Sequence, residues 1–400
     1  MRILHTGDWH LGRTLEGRGR LEEQASVLEE IAAIADDQKI DLILMAGDVY
    51  DTVNPPAAAE QLFYETAARM TDGGRRHLVC IAGNHDQPER VAASSPLARR
   101  HGIHLVGLPT TDVLRLSCPR TGETAIVAAL PYPSESRLQE ALSDVADEEL
   151  LRSAYSNRVA RLIAEQARHF RADAVNLITS HLYAMGGVES ESERPIQVGG
   201  AYTVDLSAFD VPAAYVALGH LHRAQKLGGS NRIRYSGSPL AYSFSEAGQT
   251  KSVTVLDIAP GLAAGEPSWT EIPLSAGRPL VRWKADEGVA QVFRWIEEGR
   301  DPNAWIDLEV KLTEDIPLDT IHRLRTERPG FVHIRPIYPE QQSEREIAAQ
   351  RGLPMDELFR RFYRKQTGGA EPDDAMVELF LELIAESGAA ADAAEGEEAS

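Results

Sequence analysis

Arg2-Ile3-Leu4-His5-Thr6-Gly7-Asp8-Trp9-His10 is a strand-forming run that ends in a glycine, a carboxylate and an imidazole. The same pattern recurs along the first 222 residues. Leu42–Ala46 runs into Gly47-Asp48, His77–Ala82 into Gly83-Asn84-His85-Asp86, Ala174–Thr179 into Ser180-His181, and Ala213–Leu218 into Gly219-His220-Leu221-His222. Strand ends on one edge of an α/β sheet converge in space although they lie far apart in the chain. Asp, His and Asn gathered in a core cost free energy unless something binds them. A pair of metal ions would do so. In Asp8-Trp9-His10 and His220-Leu221-His222 the i, i+2 spacing points both side chains to one side of an extended segment. Imidazole, carboxylate and amide oxygen without thiolate favour borderline-to-hard divalent ions such as manganese, zinc or iron.

Each cluster alone has an ordinary reading. His181 reads equally as a packed histidine, Asp48 as a turn residue, and Asp86 as a helix N-cap, with Glu89 completing a capping box. His5 reads as packed inside its strand, and His101 and His104 as surface or strand-edge residues. The ordered set, each member behind a strand, changes the balance.

In that order the motifs resemble those of the calcineurin-like metallophosphoesterases: Asp-x-His, Gly-Asp, Gly-Asn-His-Asp, a lone His, then Gly-His-x-His. The flanking residues His5–Gly12 and Ala46–Asp51, with Gly219–His222, resemble the SbcD-type nuclease subunits within that superfamily, relatives of the Mre-type nucleases. The resemblance implies a four-layer α/β sandwich of two packed sheets flanked by helices. It implies Asp8, His10 and His222 on one metal ion, Asn84, His181 and His220 on a second, and Asp48 bridging both, with manganese as the expected ion. His85 is then the catalytic histidine beside the metals. Asp51 departs from the archaeal relatives, which carry a second histidine near this place.

The implied activity is metal-dependent exonuclease and endonuclease cleavage of DNA at double-strand ends and hairpins, in repair, recombination and replication. The resemblance also implies an SbcC-type ATPase partner, to which ATP binding should belong because no Walker A motif occurs here, and a homodimer through helices near 56–72 and 88–101. A phosphoesterase of the same fold acting on nucleotides or other small phosphoesters is the rival enzyme, and a metal-stabilised scaffold the non-enzymatic alternative.

The 400 residues exceed what one hydrophobic core usually serves, and 43% apolar content supports a globular chain. The expected division is a nuclease domain over 1–275, a small α/β cap over 276–340, a helical partner-docking segment over 341–386, and an acidic, disordered tail over 387–400. Helices are expected over Leu21–Gln38, over about 55–72 behind an Asn54 cap, from Asp86 to about His101, and over Asp147–Phe170. In the cap, strands Trp305–Leu312 and Val332–Pro336 and helices Val289–Glu298 and Leu318–Glu327 are expected. Amphipathic helices Met355–Lys365 and Asp373–Ala385 then carry more apolar surface than they can bury alone. Sixty-one acidic against 41 basic residues, a net charge of −20, oppose general attraction to nucleic acid. A DNA substrate therefore needs a local basic path, metals or a partner. Arg13, Arg18 and Arg20 are candidates for such a path, while Glu189, Glu191 and Glu193 interrupt it. With no signal-like start, no apolar run of membrane length, and only Cys80 and Cys118, the expectation is a cytoplasmic, nucleoid-associated protein.

Overall fold

The structure is a computed structural model, and it describes the chain except residues 143–154, 195–201, 262–266, 314, 339–353, 368–370 and 385–400. The acidic tail, the first part of the helix expected from Asp147, and the start of the helical segment after residue 340 lie outside the described residues. The chain divides into two compact units, Met1–Val281 and Arg282–Ser400.

The first unit is built on two six-stranded sheets. In one the order is Ser268–Pro273, Ser252–Asp257, Arg2–Thr6, Leu42–Met45, His77–Ile81 and Ile103–Val106, the last four parallel and the first two antiparallel. In the other the order is Gln225–Lys226, Ile233–Tyr235, Tyr215–Gly219, Val175–His181, Thr124–Leu130 and Leu114–Ser117, with parallel strands at its centre. Alternation along each strand sorts residues to the two faces. Ile3, Leu42, Leu44, Val79 and Ile81 meet Val127, Val175, Leu177, Tyr215 and Ala217 between the sheets. On the outer face of the first sheet, Leu4, Ile43, Met45 and Leu78 pack against Val27, Leu28, Ile31, Phe63 and Met70 of helices Leu21–Asp37 and Ala57–Thr71. On the outer face of the second, Leu130, Ile178, Val216 and Leu218 pack against Val159, Leu162 and Ile163 of helix Tyr155–Ala167. The result is the expected four-layer α/β sandwich. Each fully buried Leu or Ile in these layers contributes about 1.5–3 kcal/mol.

Helix boundaries corrected two expectations. Pro56, not Asn54, occupies the N-cap of Ala57–Thr71. The helix expected to open at Asp86 begins at Pro88, where Gln87 caps it by accepting from Arg90 N at 2.6 Å, and the stretch to His101 breaks into the short turns Pro88–Ala92, Ser95–Ala98 and Arg99–His101. Asp86 is held elsewhere: its carboxylate takes the amides of Gly83, Val49 and Tyr50, a stronger demand than one helix end.

Strand Leu280–Ala285 runs into the second unit and forms a three-stranded sheet with Trp305–Lys311 and Phe331–Ile337, the last two parallel, accompanied by helices Val289–Glu297 and Leu318–Glu327. Trp283 anchors it edge-on against Trp295 and Phe331. Helix Met355–Thr367 and helical residues 374–384 follow, with Phe359 stacked on Phe380 at 4.1 Å and Arg360 paired with Asp374. Among the described residues, no helix is long and apolar enough to cross a membrane.

Candidate metal centre

All five clusters follow parallel strands, so the two sheets deliver them to one common edge. Local backbone makes the delivery possible. Asp8 (φ 54°), His10 (φ 45°), Asp48 (φ 53°) and His220 (φ 111°) adopt left-handed conformations, each costing on the order of 1–3 kcal/mol, which persists only where surroundings enforce it. Here they do: Asp8 N, His10 N and Leu11 N donate to the carbonyls of Gly47, Asp48 and Val49, stitching the first two motifs together. The glycines permit close approach. A Cβ on Gly83 would lie 2.1 Å from Asp48 Oδ1, and one on Gly219 1.9 Å from the Ala46 carbonyl.

The structure brings Asp8, His10, Asp48, Asn84, His181, His220 and His222 together, with His85 beside them. Oxygen and nitrogen ligand atoms of Asp8, His10 and His222 lie within 4.8 Å of one another, as do those of Asp8, Asp48 and His181. Asp48 Oδ1 accepts the His85 amide at 2.9 Å, while its Oδ2 lies between His181 Nε2 at 3.4 Å and His10 Nε2 at 3.6 Å. Asn84 Oδ1 is 2.8 Å from His181 Nε2 and 3.3 Å from His220 Nδ1.

These contacts fit cations. His181 Nδ1 donates to the Ala46 carbonyl at 2.9 Å, so in the neutral ring Nε2 is a lone pair facing the acceptors Asn84 Oδ1 and Asp48 Oδ2. His10 Nε2 and His222 Nε2 face each other at 3.0 Å. Asp8 Oδ2 and His220 Nε2 are buried without any hydrogen-bond partner. Lone pairs converging on unfilled directions in a core are satisfied by metal ions. The electrostatics agree. Burial alone would lower His181, yet Asp48 and Asp8 outweigh it and lift the group to about 9, so this spot favours positive charge. Burial raises Asp8 and pushes His10 and His220 down, keeping those imidazoles neutral as ligation requires.

His85 stands apart from this packing. Its Nδ1 donates to the Asp51 carbonyl at 2.7 Å, and its ring meets that of His10 edge-on at 4.7 Å. The Asp51 carboxylate, noted in the sequence only as a departure, lies 3.6 Å from His10 Nδ1 and 3.7 Å from the Arg13 guanidinium. Sequence reasoning missed further supports. Gln24 Nε2 donates to the His10 carbonyl, Tyr242 Oη to that of Trp9, and Ser192 and Glu193 contact His222. None sits in a motif, so only the fold reveals them. The arginine path is also revised: Arg20 is buried on Glu23 and the Ala241 carbonyl, and Arg13 donates to the Ser192 carbonyl.

Such a centre, nitrogen and oxygen donors around two neighbouring cation positions at a sheet edge, belongs to a two-metal hydrolase. Residues 1–224 match the family model described as calcineurin-like phosphoesterase. Residues 276–367 match a model described as type 5 capsule protein repressor C-terminal domain. The chain is 55% identical over 384 residues to the SbcD subunit of nuclease SbcCD from Bacillus subtilis (strain 168), covering 96% of this chain and 97% of that one. It is 37% identical over 299 residues to the SbcD subunit of the same nuclease from Rhodobacter capsulatus, covering 71% and 72%. Among solved structures, TT1561 of Thermus thermophilus is similar at 15% identity and TM-score 0.34, over 68% of this chain and 98% of that one. The chain belongs to the calcineurin-like phosphoesterases and, among them, to the family of SbcD nuclease subunits, so it is a metallophosphoesterase nuclease.

Proposed function

We propose that the chain cleaves DNA phosphodiester bonds at double-strand ends and hairpins, as the nuclease subunit of a complex with an SbcC-type ATPase. The observation that carries the reading is the convergence of unpartnered Asp8 Oδ2 and His220 Nε2 with the facing nitrogens of His10 and His222. Asp8, His10 and His222 would hold one ion and Asn84, His181 and His220 the other, with Asp48 placed between the two groups to serve both. Manganese suits this donor set. When bound, two such ions neutralise the phosphate and lower the pKa of a water.

The protein's own groups do the rest. Asp48 fixes the spacing of the two positions because its Oδ1 is tied to the His85 amide, leaving Oδ2 to face inward. His85 presents Nε2 to the substrate because Nδ1 donates to the Asp51 carbonyl, and when the ring carries a second proton, on Nε2, it hands that proton to the leaving oxygen. Asp48→Ala should lose both metal binding and cleavage of linear duplex DNA. His85→Gln should keep both manganese ions yet cut about 10²–10⁴-fold more slowly. Normal cutting by His85→Gln with manganese removes its catalytic role.

Partner docking falls to the C-terminal helices. Phe362, Leu379 and Leu383 are each more than half exposed there, an apolar face suited to a coiled-coil base. Dimerisation through the surface around helix Ala57–Thr71 and the turns Pro88–Ala92 and Ser95–Ala98, where Tyr64 and Leu97 are exposed, is part of the same proposal.

A further inference from the structure

The loop after His181 carries Ser190, Ser192 and Glu193, which the chemistry above does not use. Ser192 is buried, and its Oγ lies 2.5 Å from His222 Nδ1. On the other side it lies 3.1 Å from Ser190 Oγ, which in turn lies 2.7 Å from Glu193 Oε2. That oxygen also accepts the Ser190 amide at 2.8 Å, and Glu193 Oε1 accepts the His222 amide at 2.7 Å.

Counting hydrogens sets the direction of this chain. Both Glu193 oxygens accept backbone N–H groups, so the Ser190 hydroxyl must donate to the carboxylate. Its one hydrogen is thereby engaged, and Ser190 can only accept from Ser192. Ser192, its hydrogen turned to Ser190, can only accept from His222. His222 therefore carries its proton on Nδ1, and its Nε2 lone pair faces His10 Nε2. The Glu246 carboxylate does not substitute: its Oε1 is 3.9 Å from His222 Nδ1, beyond hydrogen-bond reach, and the carboxylate is paired with Lys251.

We propose that Ser190, Ser192 and Glu193 are positioning residues that lock His222 in its Nδ1-protonated tautomer and so set the affinity of the metal position it shares with Asp8 and His10. The inference rests on reading His222 as a ligand. A ring nitrogen bearing hydrogen cannot ligate, and groups that orient a ligand histidine typically carry about 10–100-fold in metal affinity.

The test uses the full chain. Manganese is titrated while the free ion is followed by electron paramagnetic resonance, and imidazole ¹⁵N shifts of the metal-free chain report the His222 tautomer. The parent chain should bind two ions and His222→Ala should lose one. Ser192→Ala should weaken one site about 10–100-fold and leave the other unchanged. Ser190→Ala, which never touches His222, should weaken the same site, because the Ser192 hydroxyl is then released to donate to Nδ1. Ser245→Ala removes a separate anchor of the loop, the Glu191 amide at 3.3 Å, and should leave both affinities as they are. Unchanged binding in Ser192→Ala and Ser190→Ala, equal weakening by Ser245→Ala, or an Nε2-protonated His222 in the parent each overturns the inference alone. A His222→Ala chain that keeps both ions overturns the ligand reading and this inference with it.

Discussion

His5 lies between the two sheets, fully buried, with Nε2 donating to the Leu218 carbonyl at 3.1 Å and Nδ1 accepting the Tyr215 hydroxyl at 2.9 Å. One hydrogen and one lone pair are thus both used, which only the neutral ring can do. Burial, and secondarily the field of Arg234, lower it from 6.5 to about 3. The unfolded chain therefore binds an extra proton between those values. The stability His5 contributes is whole above about pH 6.5 and drains away as pH falls toward about 3. In His5→Gln, whose amide can keep both hydrogen bonds, the urea midpoint should fall less between pH 7 and pH 5 than in the parent. Parallel losses in the two chains would assign the acid sensitivity elsewhere. The residue-level sequence reading holds for His5, which is packed as expected, and fails for Asp86. A capping motif and a carboxylate that grips its own turn and one distant turn look alike in one dimension. The partners Val49 and Tyr50 are local to Asp86 only once the strands Leu42–Met45 and His77–Ile81 pair.

At the scale of elements, strands are easier to read than helix ends. Strands such as Leu42–Met45 and Val175–His181 are buried along their whole length, so their composition is set by the fold. Helix starts turn on one side chain, and near Asn54 and Asp86 several residues can cap. The strand Leu280–Ala285 escaped notice because its burial alternates with charged residues at its outward positions. The C-terminal helices carry a prediction of their own. They pack on each other through Phe359 and Phe380 yet leave Phe362, Leu379 and Leu383 outward. Deleting Met355 to Ala385 should abolish co-purification with the proposed ATPase partner while metal-dependent cleavage of a simple phosphodiester persists. A complex that survives the deletion places docking on another surface.

For the whole molecule, the centre joins the two sheets beside polar links such as His5 to Tyr215 and Arg234 to Thr254, so ions there should tie the layers together further. Asp8 Oδ2, His220 Nε2 and the facing nitrogens of His10 and His222 lose their partners once metal is removed. A ligand at 100 times its dissociation constant adds about 2.7 kcal/mol of stability. For a unit of this size that is roughly 5 °C in Tm. Chelation should lower Tm by about that much, and manganese should restore it. A Tm indifferent to chelator would mean that the cradle holds no ion in solution.

By itself the sequence marked the strands that lead to the five clusters and the Asp, His and Asn residues that end them, because buried strands demand apolar runs and metal chemistry demands particular side chains. It also placed the helical pair and the small α/β unit, whose periodicities are local. Only the tertiary structure decided how the donors face one another, which imidazole nitrogen each neighbour leaves free, and that Ser192, Gln24, Tyr242 and Asp51 support them. Those relations depend on hydrogen-bond directions between segments up to 233 residues apart, and a linear pattern carries no record of direction.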